Sequence, residues 1–521
     1  MRRFSIFTSI FMMLFSCAIV LASGQENLTQ KQDIKISQRF PREFHARSTV
    51  LKEELGAYLK QIARSGKDNV YSKLKQLLDK NDFEPVKEYL TSLIDNKQDL
   101  KTGNIASDKI FYCLGIIYFL KDDIVSAKTY YEKAVKLKPD NPSYLTATGN
   151  LHNLSGNHHK AQTVIGLAID LLKLDVSPDP VLMANCYDEL AFAFLELGDL
   201  KKAKSYYMES LRYARKMKEN IRKQRLGRSY NNLGEVYLKS GEYKMAMDKF
   251  EASLKHDTAQ YGKTSAQTAI DYNNIAMAYD AQGMYKMAII NYKKALEISE
   301  KLYPDKPDAS VAVYNNNLGL AYCNSGFYEK GRDYFFKALE IDKKLFLEHT
   351  NKSFAVDYSN LSLAFSKIGD YEQALEYAKK ALEIDLHHHP DGIHGDVLGD
   401  YSNLGAAYAA LDMVDESVEA YTKSLDIAKK LYPVGGHIDV ALCYNNLAGV
   451  FDGQGQFQNA ADYYEKSLKI LNKLFPKEDH PYFEVCYRNL ANVYGALGNA
   501  DKARKYLRMA FEAQLQQERR E

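Results

Sequence analysis

Apolar positions along this chain fall at helical spacing, and the helices themselves recur at a fixed interval. Between Tyr285 and Leu302 the residues Ala288, Ile289, Tyr292, Ala295, Leu296, Ile298 and Leu302 keep one face apolar, which predicts an unbroken amphipathic helix. Pro304 then stops it, because proline lacks the N–H and clashes with the turn before it. Pro390, Pro433 and Pro476 stand at the same phase of later copies. Nearer the N-terminus, Leu74, Leu77 and Leu78 and then Val86, Leu90 and Leu93 predict shorter helices, the second resembling half of a repeat.

The interval is marked by seven asparagines: Asn232, Asn274, Asn317, Asn360, Asn403, Asn446 and Asn489, separated by 42 residues once and by 43 thereafter. Each adjoins a Leu or Ile in a similar stretch, such as YNNLGEVY from Tyr230 to Tyr237 and YNNLAGVF from Tyr444 to Phe451. A fixed period in this range marks a stack of small helical units, none able to bury its apolar face alone. The expected fold class is therefore all-α, an array of antiparallel helix pairs.

From residue 108 two shorter units precede eight long ones. The first carries Leu114, Gly115, Tyr118, Ala127, Tyr131, Ala134 and Pro139, and the second Gly149, Ala161 and Ala168. The long units centre on Leu190, Leu233, Ile275, Leu318, Leu361, Leu404, Leu447 and Leu490. This pattern resembles the tetratricopeptide repeat. The long second helix and the YNNL stretch resemble the repeats of kinesin light chains, whose His-Pro linker is matched by His389-Pro390 and His480-Pro481. Tyr303-Pro304 and Tyr432-Pro433 lack that histidine. The resemblance implies a right-handed superhelical solenoid whose first helices line the concave side, and a habit of binding peptides there. It does not carry over motor transport.

The domain reading follows. Residues 1–24 form a signal peptide or membrane anchor, 25–48 a flexible tether, and 49–107 a helical cap with a degenerate repeat. Residues 108–183 hold the two short repeats and a linker, and 184–521 the eight long repeats with a C-terminal helix. Arg2 and Arg3 precede the apolar run from Phe4 to Ala22, and Ala22-Ser23-Gly24 offers a cleavage site before Gln25. A cleaved signal, a retained anchor and lipidation at Cys17 all remain open, and each places the repeats across a membrane. Exported, periplasmic, tethered or secreted location is the expectation.

In each long unit the Leu, the small residue after it and the aromatic three further on share a face and must pack on the unit's own second helix. The marker asparagine lies about 100° away from that stripe. Stacking lines these side chains up, and a carboxamide offers both donors and an acceptor to an extended backbone. The row resembles the asparagine ladder of the O-linked N-acetylglucosamine transferase superhelix at these seven positions. Asn231, Asn273, Asn316 and Asn445 add a partial row one residue earlier, with Ser359, Ser402 and Arg488 in the other units. All eleven asparagines are candidate peptide-binding residues. The competing role is bonding between neighbouring helices that fixes their stacking.

Charge and reactive residues narrow the classes. The 521-residue chain has 69 Lys and Arg against 67 Asp and Glu, a net charge of +2, which exerts no general pull on nucleic acid or anionic membrane. One basic run, with Arg212, Arg215, Lys216, Lys218, Arg222, Lys223, Arg225 and Arg228, reads as a solvated helix face, with docking of an acidic partner or lipid headgroups as the other reading. Beyond Cys17 the cysteines are Cys113, Cys186, Cys323, Cys443 and Cys486, an odd number without a CxxC, read as small buried residues. His387, His388, His389, Asp391 and His394 fall at a helix end and linker, so no metal is expected there. Neither a catalytic motif nor a cofactor motif is present, and no enzyme activity or cofactor is expected. Glycosylation triplets stand at Asn27, Asn153, Asn351 and Asn360. The last helix carries Leu507, Phe511 and Leu515 on one side, a face for a partner or a second copy.

The function expected from these features is an exported protein–protein interaction scaffold that holds extended peptide segments in its groove. A signalling regulator and a secreted effector sensing a peptide or host protein are the alternatives.

Overall fold

A computed structural model describes residue 52, residues 55–60 and 68–95, and residues 107–518 apart from 122, 305, 347–350, 433–436 and 476–481. The readings at residues 1–48, Pro433, Pro476 and His480-Pro481 lie outside the described residues. Among those described the secondary structure is helical, beginning with a short stretch over residues 55–60 and then α1 (Asp68–Asp79) and α2 (Glu84–Asp95). No described helix is long and apolar enough to cross a membrane.

The chain divides into two compact units between Asn274 and Ile275. The N-terminal unit continues with the pairs α3 (Ser107–Leu120) and α4 (Ile124–Leu137), α5 (Pro142–Leu154) and α6 (His158–Lys173), α7 (Pro180–Glu196) and α8 (Leu200–Ala214), α9 (Glu219–Lys239) and α10 (Tyr243–Tyr261). Helix α11 (Ala266–Asp280) contains the division. The C-terminal unit holds α12 (Tyr285–Leu302), α13 (Ala309–Asn324), α14 (Tyr328–Leu345), α15 (Lys352–Ile368), α16 (Tyr371–His388), α17 (Gly395–Ala410), α18 (Val414–Leu431), α19 (Ile438–Gly453), α20 (Phe457–Leu474), α21 (Tyr482–Ala496) and α22 (Ala500–Glu518).

Within both units, α11 apart, the first helix of a repeat packs on its second helix, and that second helix packs on the first helix of the next repeat. The close approach within a repeat requires glycine. A Cβ added to Gly319 would come within 2.5 Å of the Phe335 ring and 3.0 Å of the Gly331 carbonyl oxygen. Gly234 meets Phe250 and Gly115 meets Tyr131 in the same way. The interior is therefore a line of aromatic rings seated against glycine or alanine, with Tyr131, Phe250, Phe335 and Tyr464 almost fully buried. Burying side chains of this size is the main favourable term for each repeat.

The turn inside a repeat needs a left-handed residue. Gly326 (φ 84°) and Gly369 (φ 95°) supply it, and Asp412 (φ 57°) takes that position in the following repeat. The second helices α12, α14, α16, α18 and α20 are each 18 residues long, against 14 for α4. α12 ends at Leu302 and α16 at His388, one or two residues before Pro304 and Pro390, as proline's missing N–H requires.

Candidate functional site

The two asparagine rows sit where one repeat meets the next. Asn231 Nδ2 donates to Asp271 Oδ1 at 2.7 Å, and its own Oδ1 accepts from Asn274 Nδ2 at 3.1 Å. The pattern repeats in the C-terminal unit: Asn316 donates to Asp357 Oδ1 at 2.6 Å and accepts from Asn360 at 3.2 Å. Asn489 donates to Asn445 Oδ1 at 3.3 Å. Each staple joins the first helices of successive repeats, so the earlier row binds forward to an aspartate three residues before the next ladder asparagine. Asn231, Asn273, Asn274, Asn316, Asn360, Asn445, Asn446 and Asn489 are buried.

Asn232, Asn317 and Asn403 are half-buried instead. At the receiving phase before Asn403 stands Ser359, whose hydroxyl donates to Asp400 Oδ1 at 2.6 Å. Before Asn232, the corresponding residue is Asp188, whose Oδ2 accepts from Arg225 at 2.7 Å. The asparagine is thus off the stripe that packs within its own repeat, as its phase predicts, but the adjacent repeat covers that side at Asn274, Asn360 and Asn489, where an amide receives it. That second contact depends on inter-repeat stacking and cannot be read from one helix.

Glu189 and Asp188 hold the two row positions in the first long repeat. Asn150 and Asn153 of the preceding repeat donate to the Glu189 carboxylate at 3.0 and 3.1 Å, so the same joint is built from a different residue set. Arg225 corrects the reading of its segment as a uniformly solvated face. Its guanidinium is buried against Asp188 and Asn185, and desolvation lowers its pKa. Asp188, at the row phase, is the sequence signal that could have identified its partner. Elsewhere in the run Arg212 pairs with Glu209 and Lys223 with Glu219, while Arg215, Lys216 and Lys218 are exposed.

The histidines at the end of α16 form a helix-start clamp. His394 Nδ1 accepts the Asp396 N–H at 3.1 Å as the N-cap of α17, and its ring stacks on His389 at 3.6 Å between centroids. His389, His394 and Asp396 bring three ligand atoms within 4.8 Å of one another. The next linker repeats the geometry with a phenol. Tyr432 stacks on His437 at 3.5 Å, and His437 Nδ1 accepts the Asp439 N–H at 3.3 Å. Lys352 Nζ also lies 2.8 Å from His389 Nε2, an ammonium where a cation would have to bind. Stacking and capping therefore account for the cluster.

The five described cysteines are free and buried. Burial pushes the thiols of Cys186, Cys323, Cys443 and Cys486 up to about 12, which keeps them protonated and unreactive. Asn153 and Asn360 are buried, and Asn351 caps α15 by accepting the Ser353 N–H. Leu507 and Phe511 on α22 are exposed.

Models of the tetratricopeptide repeat match residues 109–141, 184–217, 225–301, 310–386, 401–473 and 485–514, more than half of the chain. No curated protein matches. Among solved structures, a Rap protein complexed with Competence and Sporulation Factor is 15% identical, covers 77% of this chain and 100% of its own, and gives a TM-score of 0.50. The quorum sensor NprR from B. thuringiensis in its apo form is also 15% identical, covering 73% and 99% with a TM-score of 0.49. BtubC from P. vanneervenii is 22% identical over 43% of this chain and 91% of that one, with a TM-score of 0.37.

Proposed function

The chain is a tetratricopeptide-repeat protein, a protein–protein interaction scaffold, and we propose that it binds extended peptide segments along the first helices of its long repeats. The observation that carries this reading is the split within the ladder. Asn274, Asn360 and Asn489 are consumed in staples, whereas Asn317 and Asn403 in the C-terminal unit, and Asn232 in the other, are half-buried residues. Successive first helices in the C-terminal unit also touch directly, α13 on α15 and α15 on α17, which fits an inner side formed by these helices. A half-buried asparagine on a helix held by staples is preorganised, so little side-chain entropy is lost when it binds a backbone. Asn360, between Asn317 and Asn403, is stapled to Asn316, which leaves those two contact points two repeats apart.

Export is part of the proposal, on the strength of Arg2, Arg3 and the apolar run to Ala22. The task is then assembly or localisation of proteins beyond the membrane, with the scaffold periplasmic, membrane-tethered or secreted. Neither a catalytic group nor a cofactor enters this reading.

The test has two arms. Panning a random-sequence peptide display library on residues 25–521 is expected to enrich peptides whose binding the variant Asn317→Ala/Asn403→Ala loses. Enrichment unchanged by that variant would place recognition elsewhere. Fractionation of expressing cells, with sequencing of the mature N-terminus, checks export, and a cytoplasmic protein beginning at Met1 would refute it.

A further inference from the structure

Two successive joints between repeats in the C-terminal unit are built from facing carboxyl groups. Asp342 on α14 meets Asp357 on α15, and Asp385 on α16 meets Asp400 on α17. All four are buried, and within each pair the two carboxyls are neighbours that act directly on each other's ionisation. Asp357 Oδ1 accepts from Asn316 and Asp400 Oδ1 from Ser359, yet Asp357 Oδ2 and Asp400 Oδ2 are buried with no N–H or hydroxyl donor against them. Two neighbouring acceptors in the interior need a proton between them, because two buried carboxylates repel strongly and lose their hydration.

We propose that these two joints are proton-locked: a proton held within each carboxyl pair keeps neighbouring repeats closed, and its loss loosens their stacking. The surrounding groups leave that proton as the main compensation. Around the first pair stand the Asn316 amide, the Ser353 hydroxyl and Lys343. Around the second stand Ser359, Asp396, Lys352 and His394. Asp396 opposes ionisation, while the positive charges of Lys343, Lys352 and protonated His394 favour it without offsetting burial. Desolvation raises Asp342 and Asp385 to about 6 and holds Asp357 and Asp400 well above the ordinary carboxylate range. Each pair titrates as a unit.

The sign follows from linkage. A carboxyl with a folded pKa above its unfolded value contributes stability that is full below about pH 4 and is lost as pH rises through about 6 and beyond. The lock is closed in mild acid and opens toward alkaline pH. It is also local. The next two joints, α18 to α19 and α20 to α21, carry Ala428 with Cys443 and Leu471 with Cys486 at the same phases and have no such proton.

Hydrogen–deuterium exchange of the full chain at about pH 5.5 and about pH 8, corrected for intrinsic exchange, reads this directly. Protection over α14 to α17 is expected to fall at least about tenfold at the higher pH, with α18 to α21 changing much less. The variant Asp357→Asn/Asp400→Asn keeps a donor in each pair without needing the proton, and should abolish the difference. Asp342→Asn/Asp385→Asn serves as the reciprocal pair should the first fail to fold. Equal loss of protection at both kinds of joint, or an undiminished difference in the asparagine variants, would overturn the proposal.

Discussion

Asn360 donates its side-chain amide to Asn316 Oδ1 at 3.2 Å across two repeats, and Asn316 in turn donates forward to Asp357 at 2.6 Å. One side chain thereby satisfies two buried polar groups of the following helix. Removing it leaves both without their partner, which costs more than the single hydrogen bonds contribute.

Asn316→Ala is accordingly expected to destabilise the C-terminal unit by about 1–3 kcal/mol in urea denaturation followed by circular dichroism. Asn403→Ala, at a half-buried ladder position, should stay within about 0.5 kcal/mol of the parent. Equal losses would mean that the two rows are not structurally distinct.

Gly319→Ala places a methyl group against Phe335 and the Gly331 carbonyl oxygen. Overpacking of this kind costs about 1–3 kcal/mol, and the same denaturation experiment reads it. A neutral result would show that α13 and α14 can separate freely.

Arg225→Met strands the buried Asp188 carboxylate and should cost about 3–5 kcal/mol. Adding Asp188→Leu should recover most of that loss, because an apolar pair of similar volume avoids burying charge. A double variant as unstable as the single one would assign the damage to packing.

Asp412 holds a left-handed conformation that the two preceding repeats give to glycine. Asp412→Gly should raise the stability of the C-terminal unit by up to about 1 kcal/mol, visible as a higher melting temperature.

The fold was legible because its signals are local. The recurrence of Asn232 to Asn489, the helical spacing from Ala288 to Leu302 and the stop at Pro304 each depend on residues close in sequence. The phase of the ladder was legible too. The division into stapled and half-buried members was not, since a staple needs a partner from the neighbouring repeat, as Asn316 is for Asn360 at a separation of 44 positions. Arg225 failed for the same reason. In sequence it is one of eight basic residues in a run, and only stacking brings it to Asp188. The histidine cluster was read as a linker feature, and the matching Tyr432–His437 clamp one repeat later supplies the physical cause.

The most direct measurement is a binding titration of a library-selected peptide against three forms of residues 25–521: parent, Asn317→Ala/Asn403→Ala, and the staple variant Asn316→Ala assayed where it remains folded. The account predicts that the first variant loses at least about tenfold in affinity, equivalent to about 1.4 kcal/mol, while melting as the parent does. Unchanged affinity in that variant would contradict recognition through the exposed carboxamides.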